Sequence, residues 1–520
     1  MASTSAPPTS TTVRFKLILF AICLSVFLAT LDFTSVGTIV PAIVHDLPGP
    51  SFAWIGAAYA ISSAAFVPMA GLLNNIYGRQ PVLLVGIFLF MLGSALCGGA
   101  QTLNMLIAAR AIQGAGAGNI WSGSSIVLSD LVPLSERAKY SALLSLTWSI
   151  ASVLGPVLGG LLASTNAWRW LFFVNLPLGA IAGILVILCL NTRIPSGTFI
   201  EKARKVDVIG NLIIIGSTTS LILALTWGGV AYSWTSTHVL VPLIAGIIGL
   251  IGCAAYEAYI PAYPTMPPHL FKNPTTLLGF LGSFLSFMFT INVVYYLPVF
   301  FQGVWMTSAT GSGALLMPVA TLIGDLALGL LASGAVVQRT GNYLILTYCG
   351  WIIVAVGLGL LTLLRPTSST MALIGLTVVV GLGIGILFLV NTFLILAPLD
   401  PVDNAHAMAL MAYFRALGQA VGVTIGLTVL QNSLKSHLSP DIVASLPRGV
   451  EMSYSLIPAI RDLPEPLQSE ARHAFSLSLA NIWFMMIPIA LVGLIASFFA
   501  KSYVLHTSTD EKWALGDRAP

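Results

Sequence analysis

Residues Leu106 to Asn119 read LIAARAIQGAGAGN, a single arginine inside a glycine-studded apolar segment. An arginine near the middle of a bilayer costs at least about 2.5 to 3.5 kcal/mol on insertion scales, so Arg110 needs a partner or a task. On a helix, Arg110, Gly114 and Gly118 fall at i, i+4 and i+8. The charge therefore lies on the stripe where a second backbone can approach closely. The pattern predicts a polar interior shared by packed helices.

The rest of the chain agrees with a membrane setting. Of 520 residues, 57% are hydrophobic and 8% charged, with a mean hydropathy of +0.93, far from the roughly 25% charged residues of soluble domains. The formal charge of +4 is spread between apolar runs, which argues against a nucleic-acid partner. Cys23, Cys97, Cys189, Cys253 and Cys349 lie within apolar runs without metal-site spacing, and read as free, packed thiols. The apolar run after Arg14 and Lys16 is too long for a cleaved signal and reads as a first spanning helix.

Apolar runs predict spans at 17–41, 53–74, 80–100, 104–129, 139–163, 169–191, 207–228, 238–260, 276–302, 312–336, 344–364, 371–397, 406–431 and 478–500. The expected fold is thus all-α, with 14 transmembrane helices. With a cytoplasmic N-terminus, the inner short loops and tails hold 14 Lys and Arg and the outer short loops hold Arg169 and Arg365. That asymmetry places both termini in the cytoplasm. The basic stretch Glu201-Lys-Ala-Arg-Lys205 marks the seam between halves. The expected units are a disordered cytoplasmic tail (1–16), a six-helix bundle (17–191), a linker with two inserted helices (192–275), a second six-helix bundle (276–500) with an outer loop (432–477), and a C-terminal tail (501–520). Gly71 to Arg79 (GLLNNIYGR) and Gly334 to Asn342 (GAVVQRTGN) then occupy the same place in two bundles, a faint internal repeat.

Several chemistries lack their motifs. Gly114-Ala-Gly-Ala-Gly118 sits inside an apolar helix, without the strand and βαβ unit that a dinucleotide fingerprint needs. No phosphate loop, HExxH, GxSxG or Cys/His cluster occurs, so neither an ATP motor nor an enzyme is expected, and no cofactor or metal. Gly155-Pro156-Val-Leu-Gly159-Gly160 combines GxxxG spacing with a proline that frees the carbonyl of Ser152, giving a kinked helix with a flat face.

These residues carry a resemblance. Arg110 to Gly118 is similar to the fourth-helix RxxQGxGxG motif of the major facilitator superfamily, and Gly155 to Gly160 to its fifth-helix GPxxGG antiporter motif. Leu31-Asp-Phe-Thr-Ser-Val-Gly-Thr-Ile-Val-Pro41 resembles the first-helix motif of the family's fourteen-span drug:proton antiporters, and Trp168 to Gly179 the WRWxFxxNxPxG stretch of the sixth. Tyr295-Tyr-Leu-Pro-Val-Phe-Phe-Gln302 resembles a segment of the fungal members. The resemblance implies two six-helix bundles around a central cavity, alternating access, and export of drugs, toxins or secondary metabolites in exchange for protons, with a monomer sufficing. The family's loop between helices two and three usually carries GxLxDRxGRR. Here Gly71, Asn75, Gly78 and Arg79 stand in that loop, and Asn75 replaces the aspartate, which allows a hydrogen-bonded latch and rules out an ionic one.

Depth gives an independent reading of the charges. At about 1.5 Å per residue, Asp32 and Arg110 both lie roughly 20 Å from the inner edge of the membrane, so they can pair. A proton-linked switch and a permanent structural ion pair both satisfy this geometry. Asp325 and Arg415, expected at about 10 and 15 Å, can also bond, as substrate groups or as structural partners. Glu257 is expected to be solvated at the inner interface. Gln113, Trp121, Trp148, Asn292, Tyr295, Tyr296, Gln302, Asn391 and Gln419 are candidates to line a cavity, because polar and aromatic groups among apolar helices favour an interior face.

The reading is a proton-coupled efflux transporter of small, largely apolar organic molecules, partnered by the lipid bilayer, its substrate and protons, in the plasma membrane or alternatively the vacuolar one. A proton-coupled importer, for example of siderophores, and a non-transporting sensor are the alternatives on the same fold.

Overall fold

The structure is a computed structural model describing residues 13–47, 54–132, 137–192, 198–229, 232–307, 311–312, 315, 334, 336–337, 339–439, 442, 456–457 and 460–504. The first half contributes α1 (Val13–Asp46), α2 (Trp54–Tyr77), α3 (Arg79–Gly98), α4 (Leu103–Leu131), α5 (Arg137–Ser164), and the paired α6 (Arg169–Phe173) and α7 (Asn175–Cys189). A short α8 (Phe199–Ala203) leads to α9 (Val208–Trp227) and α10 (Thr237–Tyr259). Beyond them come α11 (Pro274–Gly303), α12 (Leu344–Leu361), α13 (Thr370–Leu396), α14 (Asn404–His437) and α15 (Leu467–Ser497).

Twelve described helical segments are long and apolar enough to cross a membrane, α6 and α7 together making one. The chain is a multi-pass membrane protein. At 29 residues α4 is also long enough, but its arginine, glutamine, glycines and serines dilute its hydropathy and it is not among the twelve. With α4, the described helices cover thirteen of the fourteen segments expected from the sequence; the segment expected at 312–336 lies almost wholly outside the described residues. The outer loop expected over 432–477 is shorter in the structure, because α14 runs on to His437 and α15 starts at Leu467. Buried Leu434, Ala471, Ala474 and Phe475 extend the apolar faces of both helices beyond the hydrophobic runs, and Asn481 Nδ2 donates to Ser433 Oγ at 2.9 Å between them.

The two halves repeat one packing scheme. α1 packs on α5, α3 on α4, and α7 on α1 and α3; correspondingly α11 packs on α14, α12 on α13, and α15 on α11 and α12. Glycine faces make these approaches close. A Cβ on Gly155 would lie 2.1 Å from Thr34 Oγ1, and one on Gly159 2.7 Å from the Ser35 carbonyl oxygen, so α5 rests directly on α1. Gly418, Gly422 and Gly426 seat α14 on α11 in the same manner, with the Phe284 carbonyl oxygen 2.1 Å from a Cβ at Gly418. α5 continues as one helix through Pro156, and Gly160 faces open space.

The inserted α9 and α10 pair with each other, and α9 also packs on both α2 and α14, the helices that meet between the halves. Ile222 packs with Ile61 and Ala64 of α2. The Thr218 and Tyr413 hydroxyls bond at 2.8 Å on the α14 side. Glu257, expected to be solvated, is 3% exposed, folded under the turn after α10 where Met266 N donates to it at 3.3 Å.

Candidate functional site

The glycine run of α4 sets the position of Arg110. A Cβ on Gly114 or Gly118 would fall 2.3 Å from the carbonyl oxygen of Tyr59 or Ser63 on α2, and one on Gly116 2.4 Å from Phe90 N on α3. α4 is therefore wedged between α2 and α3, with Arg110 turned inward at full burial.

There Arg110 Nη1 bonds Asp32 Oδ2 of α1, and donates to Gln113 Oε1 at 2.7 Å. Arg110 Nε donates to the Ile55 carbonyl at 3.1 Å. The second carboxylate oxygen, Asp32 Oδ1, accepts from Gln113 Nε2 at 3.0 Å and from Asn175 Nδ2 of α7 at 3.2 Å. Ser94 Oγ of α3 accepts from the same two amides at 2.7 and 3.2 Å. Asp32, Ser94, Arg110, Gln113 and Asn175 are all fully buried. Helices α1, α3, α4 and α7 thus converge on one carboxylate, satisfied by a cation and two amide donors, the condition under which a charge survives burial.

An aromatic layer lies beside this pair. The Arg110 guanidinium sits 4.3 Å from the Tyr59 ring centroid. Tyr59 stacks on Phe33 at 5.8 Å and meets Trp121 edge-on at 6.4 Å. On the far side of Phe33 and Trp121 is a cavity of about 170 Å3 between the halves. Ser124, Ser145 and Trp148 extend its wall in the first half; Phe287, Thr290, Phe388, Arg415 and Gln419 form the opposite wall. Arg415 lies over Phe388, 3.9 Å from its centroid, and donates to the Phe388 carbonyl at 3.3 Å.

Of the residues expected to line a cavity, Trp121, Trp148, Arg415 and Gln419 do so, while Gln113 belongs to the ion-pair network. Asn292, Tyr295, Tyr296, Gln302 and Asn391 do not reach the lining. Asn292 Nδ2 donates to the Met288 and Gly422 carbonyls at 2.7 and 3.0 Å, and the Tyr296 hydroxyl to the Val423 carbonyl at 2.8 Å. Tyr295 packs edge-on against Tyr296. Gln302 bonds Ser312 and Asn391 bonds Ser286. The amide nitrogens of Asn292 and Asn391 are thus bonded at helix contacts, while their Oδ1 atoms are buried without a hydrogen-bond partner among the described residues. Asp325 lies outside the described residues.

At the end of the molecule that carries the linker, Gly78 (φ 95°) turns the chain from α2 into α3. Buried Arg79 pairs with Asp130 of α4 at 2.6 Å and donates to Asn75 Oδ1 at 2.9 Å. Asn75 Nδ2 meets His406 Nδ1 of α14 at 3.0 Å. Gly71 abuts the same helix, its Cβ position 2.9 Å from Ala409 Cβ. Asn75 thus bridges Arg79 of the first half and His406 of the other by hydrogen bonds. Beside it Arg137 donates to the Ser129 carbonyl at 2.7 Å at the end of α4. Burial pulls Arg137 down to about 10, with Asp130 acting the other way, so it stays cationic at neutral pH.

Sequence reading missed Asn175, Ser94, Tyr59 and His406. Asn175 stood within the quoted Trp168 to Gly179 stretch; the other three offer no local signal.

The Major Facilitator Superfamily pattern matches residues 22–423. The chain is 35% identical to the efflux pump FUS6 of Gibberella fujikuroi, over 99% of this chain and 94% of the relative. It is 34% identical to the MFS-type efflux pump LUC4 of a Fusarium species, over 97% and 91%. The Acurin A biosynthesis cluster MFS-type transporter of Aspergillus aculeatus is 32% identical over 98% and 93%. Among solved structures, the human organic anion transporter MFSD10 matches in fold with a TM-score of 0.55 at 15% identity, over 93% of this chain and 100% of that one.

Proposed function

The chain belongs to the Major Facilitator Superfamily and is an efflux transporter, and we propose that it exports small, largely apolar organic metabolites in exchange for protons taken up at Asp32. The single observation that carries the coupling is the carboxylate of Asp32, fully buried and shared between Arg110, Gln113 and Asn175.

Protonating Asp32 removes the charge that holds the guanidinium. Arg110 keeps Gln113 Oε1 and the Ile55 carbonyl as partners, so the cation stays solvated by the protein while α1 and α4 come apart. Returning the proton to the other side restores the pair. A buried pair broken on one side is worth about 3 to 5 kcal/mol, enough to move a two-state equilibrium by more than a hundredfold. The aromatic and hydroxyl lining of the cavity suits apolar cargo with a few hydrogen-bonding groups. The similarity to the Acurin A biosynthesis cluster MFS-type transporter supports the same reading. The work is transport rather than catalysis, by a monomer in the plasma membrane with both termini cytoplasmic, an orientation that rests on the Lys and Arg distribution.

The test is proton movement in inside-out vesicles with an imposed pH gradient, as apolar toxins and secondary metabolites are added to wild type and Asp32→Asn. Compound-dependent proton efflux that the substitution abolishes supports antiport through Asp32. Unaltered coupled transport in Asp32→Asn overturns the assignment, and proton entry together with cargo turns the reading to import.

A further inference from the structure

The cavity that would hold cargo and the carboxylate that would hold the proton do not touch. Asp32 and Phe33 are neighbours on α1 yet face apart: the carboxylate turns to α3, α4 and α7, while the ring faces the cavity. Between them stands Tyr59 of α2, fully buried. One face of its environment is the Arg110 guanidinium, 4.3 Å from the ring centroid. The other is formed by Phe33 and Trp121, at 5.8 and 6.4 Å, both of which line the cavity. The Tyr59 hydroxyl donates to the Ala29 carbonyl at 2.8 Å, one turn before Asp32 on the same helix. Its backbone lies against Gly114, where a Cβ would fall 2.3 Å from the Tyr59 carbonyl oxygen.

We infer that Tyr59 is the partition that couples cargo to proton, keeping the Asp32–Arg110 pair dry in the empty protein and yielding when cargo displaces Phe33 and Trp121. This rests on the proposed proton uptake at Asp32. The physical reasons are two. The ring covers the cation on the side that faces the cavity, so water reaching the pair from there must first move it, and an ion pair gains strength as water is excluded. The backbone of Tyr59 is pinned by the α2–α4 contact, so yielding is a side-chain motion that Phe33 and Trp121 control by stacking. Tyr59 is therefore a positioning residue. It contacts the proton-binding network and not the cargo, and its loss uncouples proton flow without removing either site.

The experiment reconstitutes the full chain in proteoliposomes under a pH gradient and reads proton flux without cargo, alongside the proton-to-cargo ratio. Tyr59→Leu is expected to raise the cargo-independent flux by about tenfold, the order of one desolvated cation–π contact, and to lower coupling. Tyr59→Phe, which keeps the ring and loses only the bond to Ala29, is expected to restore coupling close to wild type. The double substitution Tyr59→Leu with Asp32→Asn is expected to abolish the leak, because the leak runs through the carboxylate. Wild-type coupling without leak in folded Tyr59→Leu overturns the inference, as does a leak that persists in the double variant. Should Tyr59→Leu fail to fold, Phe33→Leu, which leaves Tyr59 in place without its stacking partner, gives the same decision by leak or none. Coupled transport that survives Asp32→Asn alone overturns the proton site itself, a separate outcome.

Discussion

Asn75 on α2 and His406 on α14 meet at 3.0 Å across the boundary between the two halves, 331 positions apart in the chain. Arg79 Nη1 donates to Asn75 Oδ1, which turns the amide nitrogen toward His406 and makes His406 Nδ1 the acceptor. The histidine is then neutral with its proton on Nε2. Asn75→Asp places a carboxylate opposite it, which favours an imidazolium and an ionic bond. Bonds to charged groups exceed neutral ones by about 1 kcal/mol, so turnover is expected to slow about fivefold with KM unchanged. Initial transport rates over a range of cargo concentrations check this, and His406→Ala should reverse the slowing.

Arg110 uses two edges of its guanidinium, Nε toward the Ile55 carbonyl and Nη1 toward Asp32 and Gln113. A lysine has no such fork. Arg110→Lys is expected to lose about 3 kcal/mol of these contacts and roughly a hundredfold of proton-driven transport, despite the retained charge. Transport driven by a cargo gradient alone should fall much less, and comparing the two modes is the measurement.

Adjacent glycines of one motif should behave oppositely. Gly159→Ala drives a methyl group to 2.7 Å from the Ser35 carbonyl oxygen and should cost about 1 to 3 kcal/mol. Gly160→Ala meets nothing within 4 Å and should be neutral or stabilising by up to about 1 kcal/mol through helix propensity. Thermal unfolding of the detergent-solubilised protein separates them.

Asp130→Asn leaves the buried guanidinium of Arg79 without its carboxylate. The expected loss is about 3 kcal/mol of stability, read as a lowered unfolding midpoint, with Asp130→Glu losing less.

The pairing of Asp32 with Arg110 was legible in the sequence because two intramembrane charges at equal depth have few other partners. The amides that complete it were harder to read: nothing local says whether Gln113, Asn175 or Ser94 turns toward the same point, since that depends on how four helices rotate against one another. The same ignorance of rotation misplaced Asn292, Tyr296, Gln302 and Asn391. A polar side chain on an interior helix satisfies its hydrogen bonds equally well at a cavity or at a neighbouring backbone carbonyl, and one residue step turns it by about 100°. The glycines of α4 and α5 were recognised by their spacing. Gly418, Gly422 and Gly426 repeat every fourth position in the same way and were overlooked, although they perform on α14 what Gly155 and Gly159 perform on α5. His406 had no signal at all, its partner being fixed by the meeting of two distant helices.

The position of α9 along both α2 and α14 closes one flank of the molecule to lipid. A compound dissolved in the bilayer meets there a third helix laid across the joint, so any sideways entry to the central cavity has to use a different flank. The added helix pair thus makes a two-fold architecture one-sided in what it presents to the bilayer.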